Sequence, residues 1–192
     1  MRPPSNLPPT VSAPARRRFL CQAGAVCASL AASVAAMPAA ASVGSRARVV
    51  RFVHTHTGET LTAPYFDGGA YDSGCLRQVD QLLRDFRNGE VHPIDPPLLD
   101  ILYELQTLAD RDAPFEVISG YRSPQTNSML RRHSSGVAEH SQHLLGKAID
   151  VRLSGYSTRR LGEFARSLER GGVGFYPASD FIHVDTGAVR YW

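Results

Sequence analysis

The chain reads SQHLLGKAIDVRL from Ser141 to Leu153, and this stretch decides the fold class and the chemistry that we expect. Hydrophobic and polar residues alternate from Lys147 to Leu153, which is typical of a β-strand with one buried face. Asp150 falls on the polar face of that strand. His143 precedes the strand, and Gly146 gives the backbone the freedom that a turn between them requires. The stretch therefore places an imidazole and a carboxylate close together.

A second alternating run, Phe181–Asp185, supplies another imidazole near the end of the chain. Its apolar positions alternate with His183, so His183 points away from the core. If the two strands lie side by side, Asp150 and His183 emerge on one face of the sheet, and His143 reaches them from the preceding loop. Two imidazoles and one carboxylate are a suitable ligand set for Zn²⁺ with a fourth position open to water. This pattern predicts a hydrolytic zinc site.

Such a site needs a carboxylate to act as general base and then to return the proton to the leaving amine. Asp180 is the first candidate because it lies three residues before His183. Glu139, on the loop before His143, is the second candidate. Asp180 fits equally well as a turn-forming residue after Pro177, so the sequence leaves the base open.

Arg122 is predicted to contact the substrate. It follows a short strand and precedes a helix, which places its guanidinium at the end of that strand. There it can hold a substrate carboxylate through two hydrogen bonds or stabilise an oxyanion. The alternative role is a surface salt bridge.

The other segments predict a small α+β domain. Hydrophobic spacing predicts helices at 73–87, 98–110, 124–133 and 158–170, and further strands at 48–57, 60–66, 115–118, 173–176 and 188–192. The first two strands are expected to form a hairpin around a Gly-Glu turn. We expect a single domain with a small, largely antiparallel sheet and flanking helices.

Residues 1–41 have the pattern of an export signal of the twin-arginine type, with consecutive arginines before Phe19 and an alanine-rich apolar run. An Ala-x-Ala site predicts cleavage after Ala41, which leaves 42–192 as the folded domain in the periplasm. After removal of the signal we expect no stable membrane insertion. The alternative is an uncleaved anchor in the inner membrane, since 19–43 is nearly long enough to span it.

The amino-acid composition argues against disulfide-bonded and nucleic-acid-binding classes of protein. Of the three cysteines only Cys75 lies beyond the signal, so no internal disulfide forms, and we expect Cys75 to be a small buried residue. The formal net charge of +3 includes the arginines of the signal. No basic stripe typical of nucleic-acid-binding proteins is present, so we expect no nucleic-acid partner.

Three motifs in order carry a family resemblance: SGYRSPQTN at 119–127, SQHLLGKAID at 141–150, and GVGFYP through FIHVDTG at 172–187. They resemble the YcbK/MepK-like branch of the zinc D-Ala-D-Ala carboxypeptidase and murein endopeptidase superfamily, which includes the VanX and VanY types. The resemblance covers most of 42–192. It implies a hedgehog-like, D-Ala-D-Ala-peptidase-like fold.

The resemblance also implies zinc bound by His143, Asp150 and His183, with Arg122 facing the substrate. Neighbouring positions in the same motifs are expected to bind substrate, namely Tyr121, Ser141 and His140. The implied activity is cleavage of peptide cross-links or stem peptides of peptidoglycan, as endopeptidase or carboxypeptidase. The alternatives are a zinc-containing module that binds peptidoglycan without cleaving it, a hydrolase of another small amide, and a partner in cell-wall synthesis complexes.

Overall fold

The computed structural model of the chain describes residues 46–134 and 136–192. The predicted signal at 1–41 lies outside these residues and stays a prediction. Within the described ranges, no helix is both long and apolar enough to cross a membrane.

The described chain forms one mixed sheet with helices packed against it. The strands are β1 (Arg48–His54), β2 (Thr60–Asp67), β3 (Ala70–Tyr71), β4 (Phe115–Ser119), β5 (Ala148–Leu153), β6 (Gly172–Tyr176), β7 (Phe181–Asp185) and β8 (Arg190–Tyr191). The helices are α1 (Ser73–Leu82), α2 (Pro96–Leu108), α3 (Pro124–His133) and α4 (Thr158–Ser167), and a 3₁₀ turn spans Gln142–Leu145.

The 8-stranded sheet has the order β3-β2-β1-β4-β5-β7-β6-β8. The β1–β4 and β6–β8 pairs are parallel, and the other neighbours are antiparallel. This confirms the predicted α+β class with a largely antiparallel sheet. β5 lies near the middle of the sheet, between β4 and β7, so it is sheltered by neighbours on both sides.

The core lies between the sheet and helices α1, α2 and α4. The predicted apolar positions of α2 are buried, including Leu98, Leu102 and Leu105, and they pack toward β1 and β5. Ile149, Val151 and Leu153 of β5 enter the same core. Cys75 is also buried, as predicted. Burial of one face of β5 leaves the opposite face, with Asp150, for the site.

Helix α1 ends at Leu82 rather than at Arg87, so that part of the prediction is wrong. The carboxylate of Asp85 accepts hydrogen bonds from the amide of Arg87 and from the amide and hydroxyl of Ser123. These contacts draw the chain out of the helix toward the loop before α3. Ser123 also caps α3 by accepting from the amide of Thr126, so Asp85 ties the end of α1 to the start of α3.

Two boundaries near the end of the chain also differ from the predicted ones. Helix α4 ends at Ser167 rather than at Arg170, because Glu169 adopts a positive φ of 50° that a helix cannot continue. The predicted strand 188–192 is reduced to β8, which pairs in parallel with β6. Hydrogen bonds to the carboxylate of Asp185 hold the preceding turn instead.

Candidate metal centre

The register of β5 and β7 brings the predicted ligands together. Asp150 pairs directly with His183 across the two strands, so the predicted juxtaposition of these residues is confirmed. His143 arrives from the 3₁₀ turn, which is capped by Ser141, whose side chain accepts from the amide of His143. Gly146 ends that turn with a φ of 65°, where a Cβ would collide with the carbonyl of Pro93. A residue with a side chain at Gly146 would displace the turn that carries His143.

His143, Asp150 and His183 form a buried cluster, with relative exposures of 3%, 8% and 7%. Nε2 of His143 lies 3.2 Å from Oδ1 of Asp150 and 3.2 Å from Nδ1 of His183. Nδ1 of His183 lies 2.9 Å from the same carboxylate oxygen. A tetrahedral zinc site with bonds of about 2.0–2.1 Å has ligand–ligand edges of about 3.3 Å. The spacing of the three atoms therefore fits a single zinc ion.

In each histidine, the ring nitrogen that faces away from Asp150, the outer nitrogen, has a hydrogen-bond partner that determines which nitrogen can bind a metal. Nδ1 of His143 lies 2.7 Å from the carbonyl oxygen of Gly120, and Nε2 of His183 lies 2.8 Å from Oδ2 of Asp185. Both partners are acceptors only, so in the neutral rings these outer nitrogens carry the protons. The inner nitrogens then direct lone pairs toward Asp150. This donor set matches a metal site with hydrogen-bonded histidine ligands.

Charges around the cluster favour a cation. Burial alone would raise the pKa of the Asp150 carboxyl, but the two histidines hold it well below its usual range. Burial opposes charge on His183, yet its hydrogen bonds to Asp150 and Asp185 raise its pKa above the ordinary value. Both shifts mean that positive charge is stabilised at the cluster. The described residues contain one such group of potential metal ligands.

Arg122 lies beside the cluster, and its alternative role as a surface salt bridge is wrong. Its side chain is only 12% exposed, and one guanidinium nitrogen lies 3.8 Å from Oδ2 of Asp150. Its Nε is buried and has no hydrogen-bond partner among the described residues. The backbone amide of Arg122 donates to the carbonyl of His143 at 3.1 Å. The guanidinium is therefore held near the ligands with donor capacity to spare.

The cluster lies in a cleft of about 350 Å³. The lining groups are the metal-ligand candidates, two arginines, an aromatic set and the loop before the 3₁₀ turn: Arg122, Ser134, Gly136, Val137, Ala138, His140, Ser141, Gln142, His143, Asp150, Tyr176, Phe181, His183, Arg190 and Trp192. A cleft of this size accommodates a short stretch of peptide.

Neither of the two candidate bases is among the residues that line this cleft. The Asp180 side chain is 66% exposed and lies 3.8 Å from Arg152. The Glu139 side chain is 63% exposed and pairs with Arg131 at 3.1 Å. Each residue is adjacent in sequence to a lining residue, Phe181 and His140 respectively. The structure therefore brings neither carboxylate into contact with the ligand cluster.

Of the other predicted substrate-binding residues, two line the cleft and one does not. His140 and Ser141 line the cleft. Tyr121 is buried, and its hydroxyl donates to Glu90 at 2.7 Å, so it is not part of the wall. Burial raises the pKa of Tyr121 to about 12, and the hydrogen bond to Glu90 adds to this effect. Tyr121 acts in the structure as a support for the loop that carries Arg122.

Asp185, Arg190 and Trp192 belong to the site but were not among the predicted site residues. Asp185 is fully buried and accepts from His183, from Arg190 at 2.7 Å, and from the amides of Gly172 and Gly187. Strand alternation already placed Asp185 on the same face as His183, which was the available signal. Arg190 and Trp192 carried no such signal, because Arg190 lies in a strand of only two residues and Trp192 follows that strand.

The chain is similar to known proteins over most of its length. A family model described as peptidoglycan L,D-endopeptidase MepK matches residues 42–192. The chain is 41% identical over 179 residues to peptidoglycan L,D-endopeptidase MepK of Escherichia coli K12, covering 93% of this chain and 97% of the relative. It is 47% identical over 146 residues to a probable peptidoglycan L,D-endopeptidase MepK of Haemophilus influenzae, covering 76% and 78%.

Among solved structures, the Serratia marcescens L-Ala D-Glu endopeptidase ChiX matches with 24% identity and a TM-score of 0.32. That match covers 40% of this chain and 62% of the other.

Proposed function

The chain belongs to the family of the peptidoglycan L,D-endopeptidase MepK, and we propose that it is a zinc peptidase that cleaves peptide cross-links of peptidoglycan. The observation that carries this proposal is the buried convergence of His143, Asp150 and His183 in a cleft beside Arg122. The sequence left endopeptidase and carboxypeptidase action open. The L,D-endopeptidase names of the relatives favour endopeptidase action.

His143, Asp150 and His183 would hold the ion. When bound, zinc supplies Lewis-acid catalysis, which polarises the scissile carbonyl and makes water nucleophilic near neutral pH. The carbonyl of Gly120 and the carboxylate of Asp185 keep the two imidazoles in the tautomers that face inward. The rest of the mechanism depends on charged groups of the chain itself.

The guanidinium of Arg122 supplies fixed positive charge next to the reacting peptide. Burial lowers its pKa, and the neighbouring Asp150 carboxylate opposes that effect. Arg122 lines the cleft beside Asp150, so its terminal N–H groups can donate to the substrate carbonyl or to a substrate carboxylate. Donors placed in this way stabilise the negative charge that develops on the carbonyl oxygen during attack.

A carboxylate adjacent in sequence to a cleft-lining residue completes the proposal. We assign the proton transfer to Asp180, with Glu139 as the alternative. Either carboxylate takes a proton from the attacking water and returns it to the leaving amine. His140 and Ser141, which line the cleft, are proposed to bind the substrate backbone.

The hedgehog-like, D-Ala-D-Ala-peptidase-like arrangement and the location in the periplasm are part of the same proposal. Family membership supports the first, and the twin-arginine pattern in residues 1–41 supports the second. Substituting Arg17 and Arg18 by lysine should retain the protein in the cytoplasm, as measured by cell fractionation. Mass analysis of the exported protein should give a chain that begins at Ser42; a retained Met1 would instead support a membrane anchor.

Digestion of purified peptidoglycan tests the activity. The zinc-loaded protein should convert cross-linked muropeptides into shorter ones with new amino groups, as measured by mass spectrometry. Removal of the metal with a chelator should abolish the conversion, zinc should restore it, and His183→Ala should remain inactive. Binding to peptidoglycan without new amino groups, with zinc supplied, would replace the proposed activity with that of a binding module.

A further inference from the structure

Asn127 is a buried polar residue of α3 to which the proposed mechanism gives no role. Only 4% of the residue is exposed, and its backbone amide donates to the carbonyl of Ser123 at 2.9 Å, so the start of α3 fixes its position. A buried carboxamide is stabilised when its N–H donors and its oxygen have hydrogen-bond partners. The partners of Asn127 therefore show what its side chain holds in place.

The carboxamide oxygen of Asn127 contacts the guanidinium beside the metal centre. Oδ1 accepts a hydrogen bond from Nη1 of Arg122 at 3.4 Å, while Nη2 of Arg122 lies 3.8 Å from Oδ2 of Asp150. Within the described ranges, the bond to Asn127 is the one hydrogen bond that the guanidinium makes, and Nε of Arg122 is buried without a partner. Asn127 thus holds one terminal nitrogen of the planar group, and Asp150 lies beside the other.

The carboxamide nitrogen of Asn127 contacts residues 136–141, which form part of the cleft wall and which we call the cleft loop. Nδ2 donates to the carbonyl of Ala138 at 3.2 Å and to that of Glu139 at 3.4 Å. Ala138 itself lines the cleft. Arg131, one turn further along α3, pairs with the carboxylate of Glu139 at 3.1 Å. Two side chains of α3 therefore attach the cleft loop, and Asn127 is the buried one.

The chemistry of these partners requires an asparagine. A guanidinium only donates and a backbone carbonyl only accepts, so the carboxamide oxygen has to face Arg122 and the nitrogen has to face the cleft loop. Aspartate could keep the contact with Arg122 but has no donor for the two carbonyls. An apolar side chain of the same size could make neither contact. The carboxamide of Asn127 is thus a bridge between Arg122 and the cleft loop.

We propose that Asn127 is a positioning residue of the peptidase: it keeps the guanidinium of Arg122 and the cleft loop in one fixed relation. The inference rests on the proposed function, in which Arg122 stabilises developing charge and the cleft loop binds the substrate backbone. A donor stabilises a transition state fully only when it is already fixed where the charge develops. Asn127 does not line the cleft, so it acts through these two groups and not on the substrate.

Nuclear magnetic resonance tests the two contacts separately and without substrate. Backbone amides report the mobility of the cleft loop, and the buried Nε–H of Arg122 reports that of the guanidinium. In Asn127→Ala, the order parameters at both places should fall from ~0.85 to below ~0.6. In Asn127→Asp only those of the cleft loop should fall, because the carboxylate still accepts from Arg122. Ser128→Ala, at the next and exposed position of α3, is the matched control and should change neither.

A double-mutant cycle tests whether Asn127 acts through Arg122. Asn127→Ala should lower kcat for a cross-linked muropeptide by ~10–100-fold, the cost typical of misplacing a catalytic group by about 1 Å. In an Arg122→Ala background the same substitution should lower kcat by less than ~3-fold, because the group that it positions is gone. KM, which reports the cleft loop, should rise by the same factor in both backgrounds. Asn127→Asp should raise KM and retain more of kcat than Asn127→Ala does.

Two results would overturn the inference: an unchanged order parameter of Arg122 in Asn127→Ala, or an equal loss of kcat with and without the Arg122 side chain. If Asn127→Ala does not fold, Asn127→Asp, which is nearly the same size, supplies the comparison, and a cleft loop as rigid as in the wild type would then overturn it. The order parameters need no cleavage. A wild type that leaves peptidoglycan uncut therefore contradicts the proposed function, and this failure is distinguished from loss of the bridge.

Discussion

Asp185 shows how one buried carboxylate can organise an active centre. It binds no metal in the proposed site, yet each of its contacts is a donor: His183, Arg190 and the amides of Gly172 and Gly187. Burial would raise the pKa of Asp185, but the hydrogen bonds from His183 and Arg190 hold it well below its usual range. Asp185 is therefore ionised at neutral pH, and it keeps the proton of His183 on Nε2.

We expect Asp185→Asn to weaken zinc binding by ~10–100-fold, the cost typical of losing a hydrogen-bond partner of a metal-bound histidine. The amide nitrogen of asparagine can donate to Nε2 of His183 and so favour the wrong tautomer. Competition with a chelating dye measures the affinity, and Asp112→Asn, at an exposed acid of the described surface, is the control. Equal affinities for both variants would show that Asp185 does not orient the ligand.

The choice of general base is a second question at the level of single residues. We expect Asp180→Asn to lower kcat by ~10²–10⁴-fold in steady-state kinetics. Its contact with Arg152 is longer than that of Glu139 with Arg131, so Asp180 is the less constrained carboxylate. Glu139→Gln should change kcat by less than ~3-fold. The reverse pattern would assign the base to Glu139.

Secondary-structure elements position these residues through close backbone contacts. Gly120, between β4 and α3, accepts the hydrogen bond of His143 and lies against the end of α1. A Cβ at this position would lie 2.5 Å from the Leu83 carbonyl oxygen and 2.9 Å from its Cβ. The end of α1 and the histidine ligand are thus connected through one glycine.

Gly120→Ala should therefore reduce the free energy of unfolding by ~1–3 kcal/mol and weaken zinc binding, because the loop has to shift away from His143. Urea denaturation measures the first effect and metal competition the second. Gly162→Ala, in helix α4, is the matched control, because its added Cβ would meet the Ile182 side chain at an ordinary contact distance of 3.4 Å. That control should retain or slightly increase stability. An equal loss of stability in both variants would contradict the specific role of Gly120 in positioning His143.

The link from α1 to α3 through Asp85 predicts a pH dependence of stability. Burial raises the pKa of Asp85, but hydrogen bonds, including those from Ser123, outweigh burial and lower it below the usual value of 3.8. A carboxyl with a lowered pKa in the folded state contributes stability that is present above its unfolded pKa and is lost as the pH falls through its folded pKa. The difference in unfolding free energy between wild type and Asp85→Asn should thus be full at pH 5–7 and shrink below about pH 4. A difference that is constant with pH would contradict the assignment.

The elements also show what could be predicted from the sequence. Alternation in β5 and β7 was sufficient to place Asp150 and His183 on the face opposite the core, because the period of a strand is strict. That the two strands are neighbours was a condition of the prediction, and the structure meets it. The end of α1 could not be predicted, since Asp85 is satisfied by Ser123, which is 38 residues away. The position of Trp192 in the cleft was missed for a similar reason. It depends on the space over Gly174, which no periodicity reports.

At the scale of the whole molecule, the site joins parts of the chain that are distant in sequence. The two histidines are 40 residues apart and lie on different elements, with Asp150 on a third. An ion that binds all three is bound by the folded state and not by the unfolded chain. Metal binding and folding are therefore coupled.

Zinc should raise the melting temperature, and a chelator should lower it. At a free zinc concentration of ~1,000 times Kd, the added stability is ~4 kcal/mol. Differential scanning calorimetry of the wild type with and without zinc measures the shift. His183→Ala, which lacks one ligand, should show little dependence on zinc. A melting temperature that is insensitive to zinc in the wild type would argue against a metal at this cluster.

The position of β7 in the sheet has a consequence for the order in which the chain acquires its chemistry. β6 and β7 form a hairpin from neighbouring segments, whereas the pairing of β7 with β5 closes a longer loop that contains α4. Local pairings form more readily than pairings that close long loops. His183 meets Asp150 only when the hairpin docks on β5, so a nascent or partly folded chain lacks the hydrolytic centre. Such a chain cannot cut a peptide, and activity accompanies completion of the fold.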